Sequence, residues 1–153
     1  MTADKLILTN EGLISVKGEL DKLYKKRPHL VNRISRARTE GDLAENSDYI
    51  NAREDLRFLD ERIAELEEVL SKAKIVKKSK KDGRVAIGSK VTLKVNGNRQ
   101  VFLIVGDWEA DPLKGKISYT SPLGKALIGK NVGDKVEVSA PAGKVYYEIL
   151  RIE

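Results

Sequence analysis

Asp42 and Glu45 are the residues of this chain whose type and spacing point most directly to chemistry. Three positions apart around a turn, their carboxylates can converge on one cation. Nothing else in the neighbouring sequence completes a coordination shell. Two carboxylates make a weak site for Mg²⁺, which keeps waters and takes further ligands from substrate phosphates. Such a pair reads as half of a metal site, completed only inside another active centre. The plainer alternative is a pair of helix-start acids favoured by the helix dipole. Residue type and spacing leave both open.

No enzyme constellation accompanies the pair. His29 is the one histidine and there is no cysteine, so neither a His/Cys metal set nor a disulfide is available. There is no phosphate loop and no nucleophile beside a base. The missing cysteine fits a reducing cytoplasm. No stretch approaches the roughly 20 apolar residues of a membrane span, so the expectation is a cytoplasmic protein without a membrane partner.

The elements that must position Asp42 and Glu45 are two long heptad runs. Before the pair, Leu13, Val16, Leu20, Leu23, Leu30, Ile34 and Ala37 step by threes and fours, with Arg27 in the same register. After it, Tyr49, Ala52, Leu56, Leu59, Ile63, Leu66, Leu70 and Ala73 do the same. Both follow the seam of a coiled coil. Folded back on each other, the two sets pair symmetrically about position 43, Ala37 with Tyr49 and Leu13 with Ala73. That is an antiparallel helical hairpin with residues 41–49 at its tip. Helix 1 is expected from about residue 10 to 40, with a cap at Thr9-Asn10 and a kink at Pro28. Arg27 reads as a snorkelling stem whose head escapes the seam there. Helix 2 is expected from Glu45 or Asn46 to about residue 75, with Asp60, Glu61, Glu65, Glu67 and Glu68 on a solvated face. Each helix of about 30 residues makes a rod of roughly 45 Å.

Charge is unevenly spread. Residues 39–52, around the tip, hold Glu40, Asp42, Glu45 and Asp48 without a base, and residues 25–38 before them hold Lys25, Lys26, Arg27, Arg33, Arg36 and Arg38 without an acid. Residues 1–77 balance, so the net charge of +6 resides beyond them, which favours a polyanionic partner. A lysine-rich linker at residues 78–84 separates the hairpin, residues 1–77, from a second domain at 85–153. There the period changes from 3.5 to 2. Strands are expected at 90–95 and 100–105, joined by Asn96-Gly97, then at 116–119, with a short helix at 123–128 and a final hairpin through Pro141-Ala142-Gly143. The class is α+β: a helical hairpin followed by a small antiparallel sheet with one helix.

The run Arg36-Ala37-Arg38-Thr39-Glu40-Gly41-Asp42-Leu43-Ala44-Glu45-Asn46-Ser47-Asp48-Tyr49 resembles the tip of the bacterial Gre transcript-cleavage factors. So do Arg27-Pro28 and Arg62-Ile63-Ala64-Glu65-Leu66-Glu67. In the second domain, Ile104-Val105-Gly106-Asp107 and Ser121-Pro122-Leu123-Gly124-Lys125-Ala126-Leu127-Ile128-Gly129-Lys130 resemble the same family, its A type more than its B type.

The resemblance implies an N-terminal coiled coil and an FKBP-like C-terminal domain that docks at the rim of the RNA polymerase secondary channel. It implies that Asp42 and Glu45 help hold the second Mg²⁺ of the polymerase, so that the polymerase itself hydrolyses backtracked RNA. The chain would then be no enzyme in its own right and would bind no cofactor stably. By the same resemblance Asp107, Ser121 and Pro122 lie in the docking loops. Arg38, Arg53 and Arg57 each sit one step from the seam. At about 100° per residue the three turn to the same side of an antiparallel pair, whereas Arg33 and Arg36 turn to the other. That flank is expected to hold the nascent RNA 3′ end. A monomer is expected. Two other readings stay open: a channel binder that inhibits without cleavage, and a helical RNA-binding adaptor.

Overall fold

Helix α1 spans Asn10–Arg38 and helix α2 spans Ser47–Lys72. They are seen in a computed structural model that describes residues 6–39, 46–76 and 83–153. The chain forms two compact units, one made of Leu13–Lys72 and the other of the described residues up to Gly12 together with those from Ala73 onward.

The helical unit follows the heptad pattern. Val16, Leu20, Leu30 and Ala37 of α1 and Ala52, Leu59, Ile63 and Leu66 of α2 are buried. Each large aliphatic among them contributes about 1.5–3 kcal/mol on leaving water. Polar contacts across the seam fix the antiparallel sense. Ala37 meets Asn46, Arg33 meets Asp55, Arg27 meets Asp60 and Glu19 meets Arg62, so one partner's number falls as the other's rises. α1 passes through Pro28 as one helix. The Arg27 head does leave the seam, but it ends on the Asp60 carboxylate of α2 through two hydrogen bonds of 2.7 and 3.1 Å. The acidic face of α2 also differs from expectation. Asp60 takes Arg27 and Glu67 takes the Tyr24 hydroxyl, because both flank the seam closely enough to reach across.

The second unit is larger than the sequence suggested. Strand β1, Leu6–Thr9, pairs in parallel with strand β2, Ala73–Val76. The sequence reading assigned residues 1–77 to the hairpin, whereas both strands belong with the C-terminal unit. Helix α2 therefore stops at Lys72. Ala73 opens a strand, and Val69 is buried in preference to Leu70.

Five further strands form one sheet: β3 Lys90–Val95, β4 Asn98–Val105, β5 Lys116–Ser118, β6 Lys135–Ala140 and β7 Gly143–Ile152. Their spatial order is β5-β4-β3-β7-β6. All neighbours are antiparallel except β4 and β5, which run parallel. The β3–β4 turn is Asn96-Gly97 with φ of 52° and 80°, the two left-handed residues of a type I′ turn. Helix α3, Pro122–Leu127, packs its Leu127 into the core with Val91, Leu93, Ile104 and Ile149. A Cβ on Gly124 would lie 2.0 Å from the Ser118 carbonyl oxygen, so α3 approaches β5 as closely as backbone permits.

Candidate functional site

Asp42 and Glu45 lie outside the described residues. The structure does describe the two helices on either side of them in the sequence. Asn46 is the cap of α2: its Oδ1 accepts the Tyr49 N–H at 3.2 Å. Its Nδ2 donates to the Ala37 carbonyl at 2.7 Å, one of the orphan acceptors at the end of α1. One side chain therefore satisfies the end of one helix and the start of the next. The sequence places the start of helix 2 at Glu45 or Asn46 but does not show the second bond, which needs the partner helix in place.

Arg38, Arg53 and Arg57 line one groove of about 710 Å³ together with Ile34, Tyr49, Ile50, Glu54, Leu56 and Asp60. Neither Arg33 nor Arg36 lines it, and Arg33 is engaged by Asp48 and Asp55. The three arginines are not equivalent. Arg57 is held by Glu54 and Glu61, and its guanidinium keeps the Glu54 carboxyl below the usual carboxylate range. Asp60 is likewise lowered by its hydrogen bonds from Arg27. Both groove carboxylates are thus matched. Arg53 lies against the Tyr49 ring, 5.6 Å from its centroid, and neither it nor Arg38 has a carboxylate partner among the described residues.

The second cluster surrounds Asp107. Its Oδ1 accepts the hydroxyls of Ser118 and Thr120, the latter at 2.5 Å. These bonds hold its carboxyl below the ordinary aspartate value. Ser121 follows directly. Its Oγ accepts the Gly124 N–H at 3.1 Å and so caps α3, with Pro122 in the first helical position. Asp107 and the Ser121-Pro122 turn are therefore joined through one loop, although they are far apart in sequence. Ser118 and Thr120, which make the joint, carried no recognisable signal.

Sequence reasoning also missed Glu109. Its carboxylate takes the Thr9 N–H at 2.9 Å, the Thr9 hydroxyl and the Gly106 N–H at 3.2 Å. Thr9 is buried, and its Oγ1 in turn accepts the Gly12 N–H at 3.1 Å, capping α1. Gly106 is forced at this contact, since a Cβ there would meet the Ile7 carbonyl oxygen at 1.8 Å. Among the described residues no group of three or more histidine, aspartate or glutamate side chains could hold a metal ion. None of the described helices is long and apolar enough to cross a membrane.

A family model described as "Transcription elongation factor, N-terminal" matches residues 6–75, and one described as "Transcription elongation factor, GreA/GreB, C-term" matches residues 79–153. The chain belongs to the GreA/GreB transcription elongation factor family. Relatives named transcription elongation factor GreA agree along nearly the full length. The protein from Thermodesulfovibrio yellowstonii is 44% identical over 153 residues, 97% of each chain. That from Ruegeria pomeroyi is 41% identical over 153 residues, 98% of each. Among solved structures, the GreA factor homolog 1 of Thermus thermophilus is 27% identical, covers 97% of this chain and 99% of its own, and gives a TM-score of 0.45. In this GreA/GreB chain the described sequence-predicted residues thus fall into two places, the arginine groove of the helical unit and the Asp107 loop of the other unit, and the acidic pair lies outside the described residues.

Proposed function

We propose that the chain stimulates the RNA polymerase's own cleavage of backtracked nascent RNA, acting as a cytoplasmic monomer from within the secondary channel. The observation that carries this reading is the Asp42/Glu45 pair in the sequence that joins α1 to α2 of a transcription elongation factor. Two carboxylates with no third protein ligand suit a shared Mg²⁺ better than a private one. When bound, that ion stabilises charge developing on the scissile phosphate and lowers the pKa of water.

The residues of the chain itself do the rest. Asp42 and Glu45 supply the negative charge, and the Asn46 bridge ties the end of α1 to the start of α2. Arg38 and Arg53, left without carboxylate partners among the described residues, offer cations to the phosphates of the extruded RNA 3′ end. Asp107 with the Ser121-Pro122 turn forms the docking surface for the polymerase rim, with Ser118 and Thr120 holding the carboxylate in place. The deciding experiment is RNA cleavage in a stalled, backtracked elongation complex with and without the protein. Faster cleavage is the expected result. Binding with slowed or unchanged cleavage would replace this reading with a channel-binding inhibitor.

A further inference from the structure

Neither the helical unit nor the Asp107 cluster accounts for the positive charge that lies beyond residue 77. Part of that charge converges. Lys125 of α3, Lys130 of the turn that follows and Lys135 of β6 line one cleft of about 370 Å³, with Val136 and Glu137 beside them. Glu137, the one carboxylate in the lining, is bound by Lys144 at 3.0 Å. Asp134 lies between Lys130 and Lys135 in sequence but does not line the cleft, and its Oδ2 accepts the Asn131 N–H at 2.8 Å. None of the three lysines has a carboxylate partner among the described residues.

Taken singly, two of these lysines have ordinary reasons to be there. Lys125, in the last turn of α3, complements the helix dipole. Lys135, on the edge strand β6, blunts that edge. Neither reason brings the two to one hollow, and neither covers Lys130. Three ammonium groups around a cleft whose carboxylate is already matched attract clustered negative charge. Lysine binds phosphate as a point charge. The volume falls at the lower end of the roughly 300–1,000 Å³ of small-molecule clefts. Among the described residues no aromatic side chain lines it, so a base would gain no stacking there. A nucleic-acid strand spreads its charges along its axis, one per nucleotide, whereas an oligophosphate concentrates several in one small body.

We propose that this cleft binds a free oligophosphate chain, inorganic or carried by a nucleotide, whatever the base. The site goes beyond the proposed action on RNA polymerase and does not depend on it.

The test uses isotope-labelled full-length protein, titrated with inorganic tripolyphosphate at fixed ionic strength in magnesium-free buffer and followed by amide NMR. Signals from residues 125–137 should shift and saturate. ATP and GTP should bind equally well, and orthophosphate, which spans fewer of the lysines, about tenfold more weakly. Lys130→Gln with Lys135→Gln should weaken tripolyphosphate binding about tenfold, with the rest of the spectrum unchanged. Lys94→Gln, an exposed lysine of β3 outside the cleft, should change nothing. Shifts that never saturate, or equal affinity in the double variant, would remove the site. A single-stranded oligonucleotide that displaces tripolyphosphate better than ATP does, at equal phosphate concentration, would give the cleft to a nucleic-acid backbone instead. No polymerase enters the measurement, so its failure leaves the proposed function standing.

Discussion

Asn46 donates to the Ala37 carbonyl across the hairpin at 2.7 Å while accepting the Tyr49 N–H at 3.2 Å, so one amide closes the described base of the tip. Loss of a cap costs about 1 kcal/mol, and the Ala37 carbonyl loses its partner as well. Asn46→Ala is expected to destabilise the helical unit by roughly 1–2 kcal/mol, read as a loss of helix signal on denaturation. Asn46→Asp keeps the cap acceptor and cannot donate to Ala37, so it should fall between the two. A variant with alanine that melts like wild type would remove the bridge from the account.

The acidic pair gives the sharpest functional expectation. Asp42→Asn or Glu45→Gln keeps the shape and removes the charge. Either change should abolish stimulated cleavage, with polymerase affinity unchanged in a competition assay. Cleavage at wild-type rate in both would exclude a metal-holding role.

At the groove, the structure refines which arginines matter. Arg57 is already matched by two carboxylates, so Arg57→Ala should affect RNA crosslinking little. Arg38→Ala with Arg53→Ala should lower it several-fold and spare docking, with an effect that shrinks as salt rises. The reverse ranking would contradict the division of charge described here.

Asp107 carries the pH expectation. Ser118 and Thr120 donate to its ionised form and depress its pKa. A depressed folded value gives a contribution that is present above the unfolded value, near about 3.9, and is lost as pH falls through the lower folded value. The loop should therefore be indifferent to pH across the neutral range and loosen only in acid. An NMR titration of the Asp107 carboxyl should show a midpoint below the ordinary one, moved upward by Ser118→Ala with Thr120→Val. Asp107→Arg should weaken polymerase binding without unfolding the domain.

Arg27 and Asp60 test how much the cross-hairpin pairs stabilise. Their side chains are 46% and 43% exposed, and exposed pairs contribute about 0–1 kcal/mol. Asp60→Asn should cost no more than that. Arg27→Leu, which places an apolar side chain in a heptad position, should be neutral or stabilising in thermal denaturation.

What could be read from the sequence was whatever repeats locally. The seam from Val16 to Ala37 and from Ala52 to Leu66 followed from the heptads, and the β3–β4 hairpin from Asn96-Gly97. The strands β1 and β2 did not announce themselves. Each is four residues long, and they pair across the whole length of the hairpin, Leu6 with Ala73. Short apolar stretches at helix ends look like helix to any local pattern. Glu109 escaped for the same reason: its partner Thr9 is a hundred positions away. Tyr49 was read as a seam residue, which it is. Only the structure shows that Arg53 also lies against its ring.

The parallel pairing of β1 with β2 has a consequence for how such a protein varies. Two parallel neighbours cannot be joined by a tight turn and need a long crossover. Here the crossover is the entire helical arm, inserted between two strands of the other unit. The arm is therefore interchangeable cargo on a fixed mounting. Matched seven-residue additions to α1 and α2 would keep the seam in phase and leave the mounting untouched. Reach and anchorage can thus be selected separately, one by counting heptads and the other by the residues around Thr9 and Glu109.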